Sequence, residues 1–221
     1  MDLVALISGG KDSVCALNCA LQEHEVVRLI NVQAAEDSFL YHVPCARLTR
    51  LISEAVGIPL VSGVSFSHED ELIILETLLH GIDADGVVAG TIESNYQMNR
   101  LRKLCVELGL HLYAPLWKRG STRLLRAMAD AMEIIIVQVA ADGMTESWLG
   151  RTLDAQAVED LFALHKKYGV HVMGEGGEYE TLVADAPIFK KRIKVINSEK
   201  KWFDEQSRGY LEIHEFKLED K

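Results

Sequence analysis

Leu3-Val4-Ala5-Leu6-Ile7-Ser8-Gly9-Gly10-Lys11-Asp12-Ser13 is an apolar run that breaks into two glycines, and the break sets the architecture. A short apolar run bounded by glycine is the pattern of a strand covered on both faces. From Asp12 to Glu23 the apolar residues Val14, Leu17 and Leu21 recur at helical spacing. Strand, glycine turn and helix then repeat outward from this point. Val26–Val32 reads as a second strand, and Leu48, Leu51, Ile52 and Ala55 mark a helix ended by Gly57. Pro59 introduces a strand over Leu60–Val64; Leu72, Leu75 and Leu79 mark a helix closed by Gly81. Gly86–Ala89 is a fourth strand, Asn95–Leu108 a helix stopped by Gly109, and His111–Ala114 a strand ended by Pro115. This alternation predicts a doubly wound α/β layer with a parallel sheet over residues 1–115.

Past Pro115 the pattern changes. Ser121–Met132 reads as a helix, Ile134–Val139 as a strand and Ala155–Tyr168 as a helix before Gly169. Short β-like pieces follow at Glu180–Val183, Ile188–Ile196 and Tyr210–Leu218, the last two suited to an antiparallel ribbon. Residues 116–221 are therefore expected to form a smaller mixed α/β domain.

Of 221 residues, 48% are apolar and 25% charged, which excludes disordered and fibrous classes. The net charge of −10 is uneven: residues 1–110 carry 7 basic and 15 acidic side chains, net −8, and residues 111–221 carry 16 and 18, net −2. No global basic footprint for nucleic acid exists. Two basic clusters, Lys118, Arg119, Arg123 and Arg126, and Lys190, Lys191, Arg192 and Lys194, read as solvated faces. No apolar run is long enough for a membrane span, and no cationic leader precedes the first strand, so a cytoplasmic protein is expected. Cys15, Cys19, Cys45 and Cys105 form no metal-binding spacing, and Cys15 and Cys19 are expected to pack as buried hydrophobes. His42 and His68 fall in predicted loops and read as solvated.

Chemistry is expected first at Ser8-Gly9-Gly10-Lys11-Asp12-Ser13, because ligands of doubly wound sheets sit beyond the carboxyl ends of the strands. Glycines let backbone approach a ligand closely, and a helix N-terminus offers unbonded N–H groups and a positive dipole end. Ser8 and Ser13 add hydroxyls and Lys11 a cation, while Asp12 suits either a helix cap or a magnesium ion held through water. Ala5 occupies the position where a Walker A loop needs glycine, and the dinucleotide-binding GxGxxG pattern is missing. The second dense feature is Gly174-Glu175-Gly176-Gly177-Glu178-Tyr179-Glu180-Thr181. Its crowded carboxylates need solvent, cations or cationic groups. A glycine-rich hairpin with its glutamates in water is the plain alternative.

SGGKDS at 8–13 resembles the PP-loop of the N-type ATP pyrophosphatases, which split ATP into AMP and pyrophosphate while adenylating a second substrate. The resemblance implies a Rossmann-like, adenine nucleotide α-hydrolase-like fold. It also implies pyrophosphate held by Gly9, Gly10 and Lys11 with the hydroxyls of Ser8 and Ser13, and Mg2+ near Asp12. GEGGEYET at 174–181 resembles the element of the diphthine–ammonia ligases, which amidate diphthine on translation elongation factor 2. Gly90-Thr91-Ile92-Glu93-Ser94-Asn95-Tyr96-Gln97 with Arg100, Pro115-Leu116-Trp117, Trp148-Leu149-Gly150 and Ala186-Pro187-Ile188-Phe189 are similar to segments of the same family. The length is similar to the short archaeal form, whereas eukaryotic members are expected to carry extra carboxy-terminal domains.

That resemblance implies ATP-dependent formation of an acyl-adenylate on diphthine and attack by ammonium, with AMP and pyrophosphate as products. Adenosine is expected near Asn31-Val32-Gln33, with Gly90 and Thr91 on the adjacent loop. Tyr96, Gln97 and Arg100 are expected to contact substrate or phosphate. Acceptor recognition falls to Glu175, Gly176, Gly177 and Thr181, with ammonium or the quaternary amine met by Glu178 or Glu180 and a cation–π contact from Tyr179. Lys11, Asp12, Glu178 and Glu180 are the expected catalytic set. Elongation factor 2 and ammonium are the expected partners, with a homo-oligomer possible and no direct nucleic-acid contact. A tRNA-modifying thiolase and a non-catalytic ATP sensor are the competing readings. Thiolated tRNA would identify the first, and AMP release dependent on a carboxylate substrate excludes the second.

Overall fold

The computed structural model describes residues 1–34, 45–67 and 70–221. His42 and His68 lie outside the described residues. The chain divides into two compact units, Met1–Trp117 and Lys118–Lys221.

The first unit alternates strand and helix: β1 Asp2–Leu6, α1 Lys11–Glu23, β2 Glu25–Ala34, α2 Cys45–Val56, β3 Leu60–Ser65, α3 Asp70–His80, β4 Gly86–Val88, α4 Asn95–Leu108 and β5 His111–Tyr113. The sheet runs β3-β2-β1-β4-β5 and all its pairings are parallel. The strand order therefore reverses at β1: successive strands step outward through β2 and β3, and β4 returns to the other side. The loop leaving β1 sits at that reversal, where a doubly wound sheet opens a crevice.

Leu3, Val4 and Ala5 are all buried, as the continuous apolar run requires of a strand with two covered faces. On one face Val4, Ile30 and Val87 pack against Leu75 and Leu79 of α3 and Leu104 and Cys105 of α4. Helix α4 keeps its predicted bounds because both ends are marked: Ser94 accepts from the Gln97 amide, and Gly109 takes the left-handed conformation with φ 69°.

The second unit contains α5 Ser121–Ala131, β6 Glu133–Ala140, α6 Ala155–Tyr168, β7 Tyr179–Asp185, β8 Lys191–Phe203 and β9 Arg208–Asp220. Its sheet runs β7-β6-β9-β8 with every pairing antiparallel. Asp154 caps α6 by accepting from the Ala157 amide at 2.8 Å, and Gly169 ends it in the left-handed conformation. The expected short pieces at 188–196 and 210–218 are in fact thirteen-residue strands with an irregularity at Asn197. Much of this ribbon is exposed and held by ion pairs such as Lys194–Glu219 and Lys201–Glu212, so apolar alternation does not mark its length. Members of both basic clusters pair in the same way: Arg126 with Glu159, Arg192 with Glu133 and Lys191 with Asp220.

Candidate active site

Ser8–Ser13 folds as a turn braced by its own hydroxyls. Ser13 Oγ accepts from the Ser8 amide at 3.2 Å and donates to the Gly10 carbonyl at 3.0 Å; Ser8 Oγ lies 3.1 Å from Ser13 Oγ and accepts from the Gly10 amide at 3.3 Å. The two serines therefore shape the loop as well as facing it. Gly9 has φ 93°, a left-handed conformation that favours glycine, and a Cβ there would also press on the Leu48 side chain at 2.8 Å.

Gly10, with extended backbone, takes the N-cap position of α1 and, having no side chain, makes no side-chain cap bond. The alternative of Asp12 as helix cap is thus corrected: Asp12 lies inside the first turn, where its side chain cannot reach over the helix end. Instead Asp12 Oδ2 pairs with Lys11 Nζ at 3.0 Å, and Lys11 is only 3% exposed. Asp12 Oδ1 is buried and has no hydrogen-bond partner among the described residues. A buried carboxylate oxygen without a donor is costly, and a hard oxygen of this kind suits a hard divalent cation. The loop's donor set thus fits both an anion on the helix amides and a metal on Asp12.

Two neighbours hold the loop from behind. Asn31 Nδ2 donates to the Ile7 carbonyl at 2.7 Å, fixing the peptide that leads into Ser8, while Asn31 Oδ1 is buried with no hydrogen-bond partner among the described residues. Asn31 is buried and Val32 half-buried. Gly90 approaches so closely that a Cβ would lie 2.8 Å from the backbone carbonyl of Asp12 and 2.9 Å from the Ser13 amide. Thr91 beside it is buried. At the start of α4, Tyr96 and Gln97 are exposed, and Arg100 stacks 5.1 Å over the Tyr96 ring while donating to its hydroxyl at 3.1 Å. The structure brings Ser8–Ser13, Asn31 and Gly90 together in the first unit.

The glycine-rich motif of the second unit is closed on itself. The Glu178 carboxylate accepts from the His171 amide at 3.0 Å and the Gly176 amide at 2.8 Å. His171, which the sequence does not single out, also accepts at Nδ1 from the Met173 amide at 3.3 Å. Tyr179 is 2% exposed and donates its hydroxyl to the Val172 carbonyl at 2.6 Å. That corrects the expected cation–π role, because a buried ring anchoring its own loop offers no face to a dissolved cation. The apolar run Leu182-Val183-Ala184 that follows, buried as Tyr179 and Thr181 are, was the available signal that Tyr179 opens a buried strand. Glu175 and Glu180 are half-buried and Gly176 and Gly177 exposed.

The thiols give no reactive site among the described residues. Cys15 and Cys19 are half-buried, not fully buried as expected, since α1 turns only part of their face to the sheet. Burial pushes the Cys105 thiol up to about 11, which makes it inert near neutral pH. Among the described residues no helix is long and apolar enough to cross a membrane.

The first unit thus places a glycine-rich loop at the reversal point of a doubly wound sheet, and the second is an antiparallel sheet bearing a braced acidic loop. Family models separate the chain in the same manner, the diphthamide synthase N-terminal domain matching residues 1–112 and the C-terminal domain residues 120–218. The chain belongs to the diphthamide synthase family. It is 37% identical to the human diphthine–ammonia ligase over 251 aligned positions, covering all of this chain and 94% of that protein. The zebrafish (Danio rerio) relative of the same name is 36% identical, covering 100% of this chain and 98% of its own length. The Schizosaccharomyces pombe relative is 37% identical over 90% of this chain but only 37% of its own length. Additional length is therefore a property of the fungal protein and not of eukaryotic relatives in general. A crystal structure described as a predicted subunit of tRNA methyltransferase from Methanocaldococcus jannaschii matches with TM-score 0.50 at 16% identity, over 85% of this chain and 98% of that one. At that identity the likeness concerns the fold alone.

Proposed function

We propose that the protein is an ATP-dependent diphthine–ammonia ligase, amidating the diphthine carboxylate of translation elongation factor 2. The observation that carries this reading is the full-length match to diphthine–ammonia ligases, combined with a buried carboxylate oxygen of Asp12 that has no hydrogen-bond partner among the described residues. A carboxylate is a poor acyl donor to ammonia. Attack of the diphthine carboxylate on the α-phosphate of ATP forms an acyl-adenylate and releases pyrophosphate; ammonium, deprotonated, then displaces AMP.

In this proposal Gly9, Gly10 and Lys11, with the Ser8 and Ser13 hydroxyls, hold the departing pyrophosphate through the α1 amides and the buried ammonium. Asp12 holds Mg2+, which when bound supplies charge neutralisation of the phosphates. Val32, Gly90 and Thr91 border adenosine. Tyr96 orients Arg100, which with Gln97 meets phosphate or acceptor. In the second unit Glu175, Gly176, Gly177, Glu180 and Thr181 recognise the acceptor and ammonium. The enzyme works in the cytoplasm on a folded protein substrate.

The test is direct. The protein is incubated with diphthine-bearing elongation factor 2, ATP, Mg2+ and ammonium, and the factor's mass is expected to fall by about 1 Da as OH becomes NH2, with stoichiometric AMP. AMP without the mass change assigns a different acceptor, and no AMP overturns the adenylation.

A further inference from the structure

The acidic loop of the second unit contains more bonds than a ligand-binding hairpin needs. The Glu178 carboxylate spends one oxygen on the His171 amide and the other on the Gly176 amide, bridging the two limbs of the loop. His171 supplies two further ties: its carbonyl accepts from the Gly174 amide at 2.9 Å and its Nδ1 from the Met173 amide. The Gly177 amide donates to the Gly174 carbonyl, and the Ala140 amide of β6 donates to the Glu178 carbonyl at 2.8 Å. Tyr179 pins the far limb through Val172.

The glycines serve the same closure. A Cβ on Gly176 would stand 2.9 Å from Glu178 Oε1, and one on Gly174 would stand 2.7 Å from the Tyr179 carbonyl, with φ 72° besides. Side chains at either position would hold the loop open. A carboxylate that accepts two backbone N–H groups is already solvated by protein, and recruiting it for an incoming cation breaks charge-assisted bonds.

We propose that Glu178 and His171 are positioning residues: together they clasp residues 171–178 and so fix the backbone that presents Glu175 and Glu180 to the acceptor. This rests on the acceptor reading of the loop given above, and it removes Glu178 from the set that touches substrate. Glu178 then acts on catalysis only through the loop's shape.

The experiment compares the full-length wild type with Glu178→Ala, Glu178→Gln and, as a contrast, Glu180→Gln, by amide hydrogen exchange and by steady-state kinetics. Loss of a charge-assisted clasp is expected to speed exchange in the 171–178 segment about 10-fold or more in Glu178→Ala, leaving residues 3–14 at wild-type rates. Glu178→Gln, which keeps one carbonyl acceptor, is expected to show a smaller effect in the same segment. The acceptor KM rises about 10-fold while kcat stays within about threefold. Glu180→Gln slows turnover with exchange at 171–178 unchanged. Unchanged exchange in both Glu178 variants overturns the clasp. A fall in kcat of about 100-fold at constant KM returns Glu178 to the chemistry. A wild type that makes AMP without converting the factor overturns the acceptor reading instead, and the exchange comparison still decides the clasp.

Discussion

Residues 8–13 and 174–181 are written in the same alphabet, glycines set among carboxylates and hydroxyls, and they end in opposite states. In the first loop α1 begins without a side-chain cap and Asp12 Oδ1 is buried with no partner among the described residues. In the second, each oxygen of the Glu178 carboxylate accepts from a backbone amide of its own loop. The glycines differ accordingly. Gly9 lets Leu48 of α2 come close against the first loop, and Gly90 lets a second segment approach the backbone of Asp12 and Ser13. Gly174 and Gly176 clear space for the second loop's own carbonyl and carboxylate. Composition therefore marks where irregular backbone lies; only the bonding shows whether it is built to receive a ligand or to hold itself.

Breaking the open loop should have the larger consequences. Replacing Lys11 by Ala removes the buried cation that faces Asp12, and AMP formation is expected to fall by about 10³-fold, measured as initial rates at saturating acceptor. An equally small loss as in Glu178→Ala would erase the distinction between the two loops. Gly90→Ala comes next. Its Cβ would meet backbone atoms of Asp12 and Ser13, which cannot rotate away, so α1 must shift. We expect about 2 kcal/mol of destabilisation in urea denaturation and an ATP affinity lower by about 10-fold in equilibrium dialysis. Unchanged ATP affinity would show that the loop tolerates displacement. On the closed side, Tyr179→Phe strands the Val172 carbonyl and is expected to cost about 1–2 kcal/mol with ATP affinity unaltered.

How much of this was readable in advance depended on the range of each interaction. The bounds of α4 and α6 were legible to the residue because Ser94, Gly109, Asp154 and Gly169 are local stop signals. The loop at 8–13 was legible because strand, glycines and helix adjoin in the chain. Asn31 was placed near the nucleotide only in general terms, since its bond to Ile7 spans 24 residues. His171 stayed invisible: it acts mainly through its backbone and one ring nitrogen, and a lone histidine after a helix has no pattern. The ribbon of β8 and β9 outran its apolar signal because charge pairs extend it where apolar residues stop. The expected cation–π role of Tyr179 failed because Tyr179 begins a strand that is buried almost throughout.

The smallest expected effect separates local closure from the general stability of the second unit. Arg151 donates to Asp160 at 2.6 Å and lies 4.6 Å over the Trp148 ring. The Arg151 hydrogen bond, aided by one from Gln156, holds the Asp160 carboxyl below the usual carboxylate range. A folded-state pKa below the unfolded one means that the charged form favours folding. The contribution is therefore complete above the unfolded value of about 3.9 and is lost as pH falls through the lower folded value. Both side chains are partly exposed, so solvent screening limits the gain, and Asp160→Asn is expected to cost about 0.5 kcal/mol at pH 7, a difference that shrinks in urea titrations as pH falls through the lowered folded value. The Arg151 carbonyl also accepts from Ile136 of β6, the strand whose far end donates from Ala140 to Glu178. If the clasp is local, Asp160→Asn leaves exchange at 171–178 at the wild-type rate despite that shared strand. Faster exchange there at pH 7 would mean that the closed loop reports on the stability of its sheet, and that its contrast with the open loop is one of support and not of internal bonding.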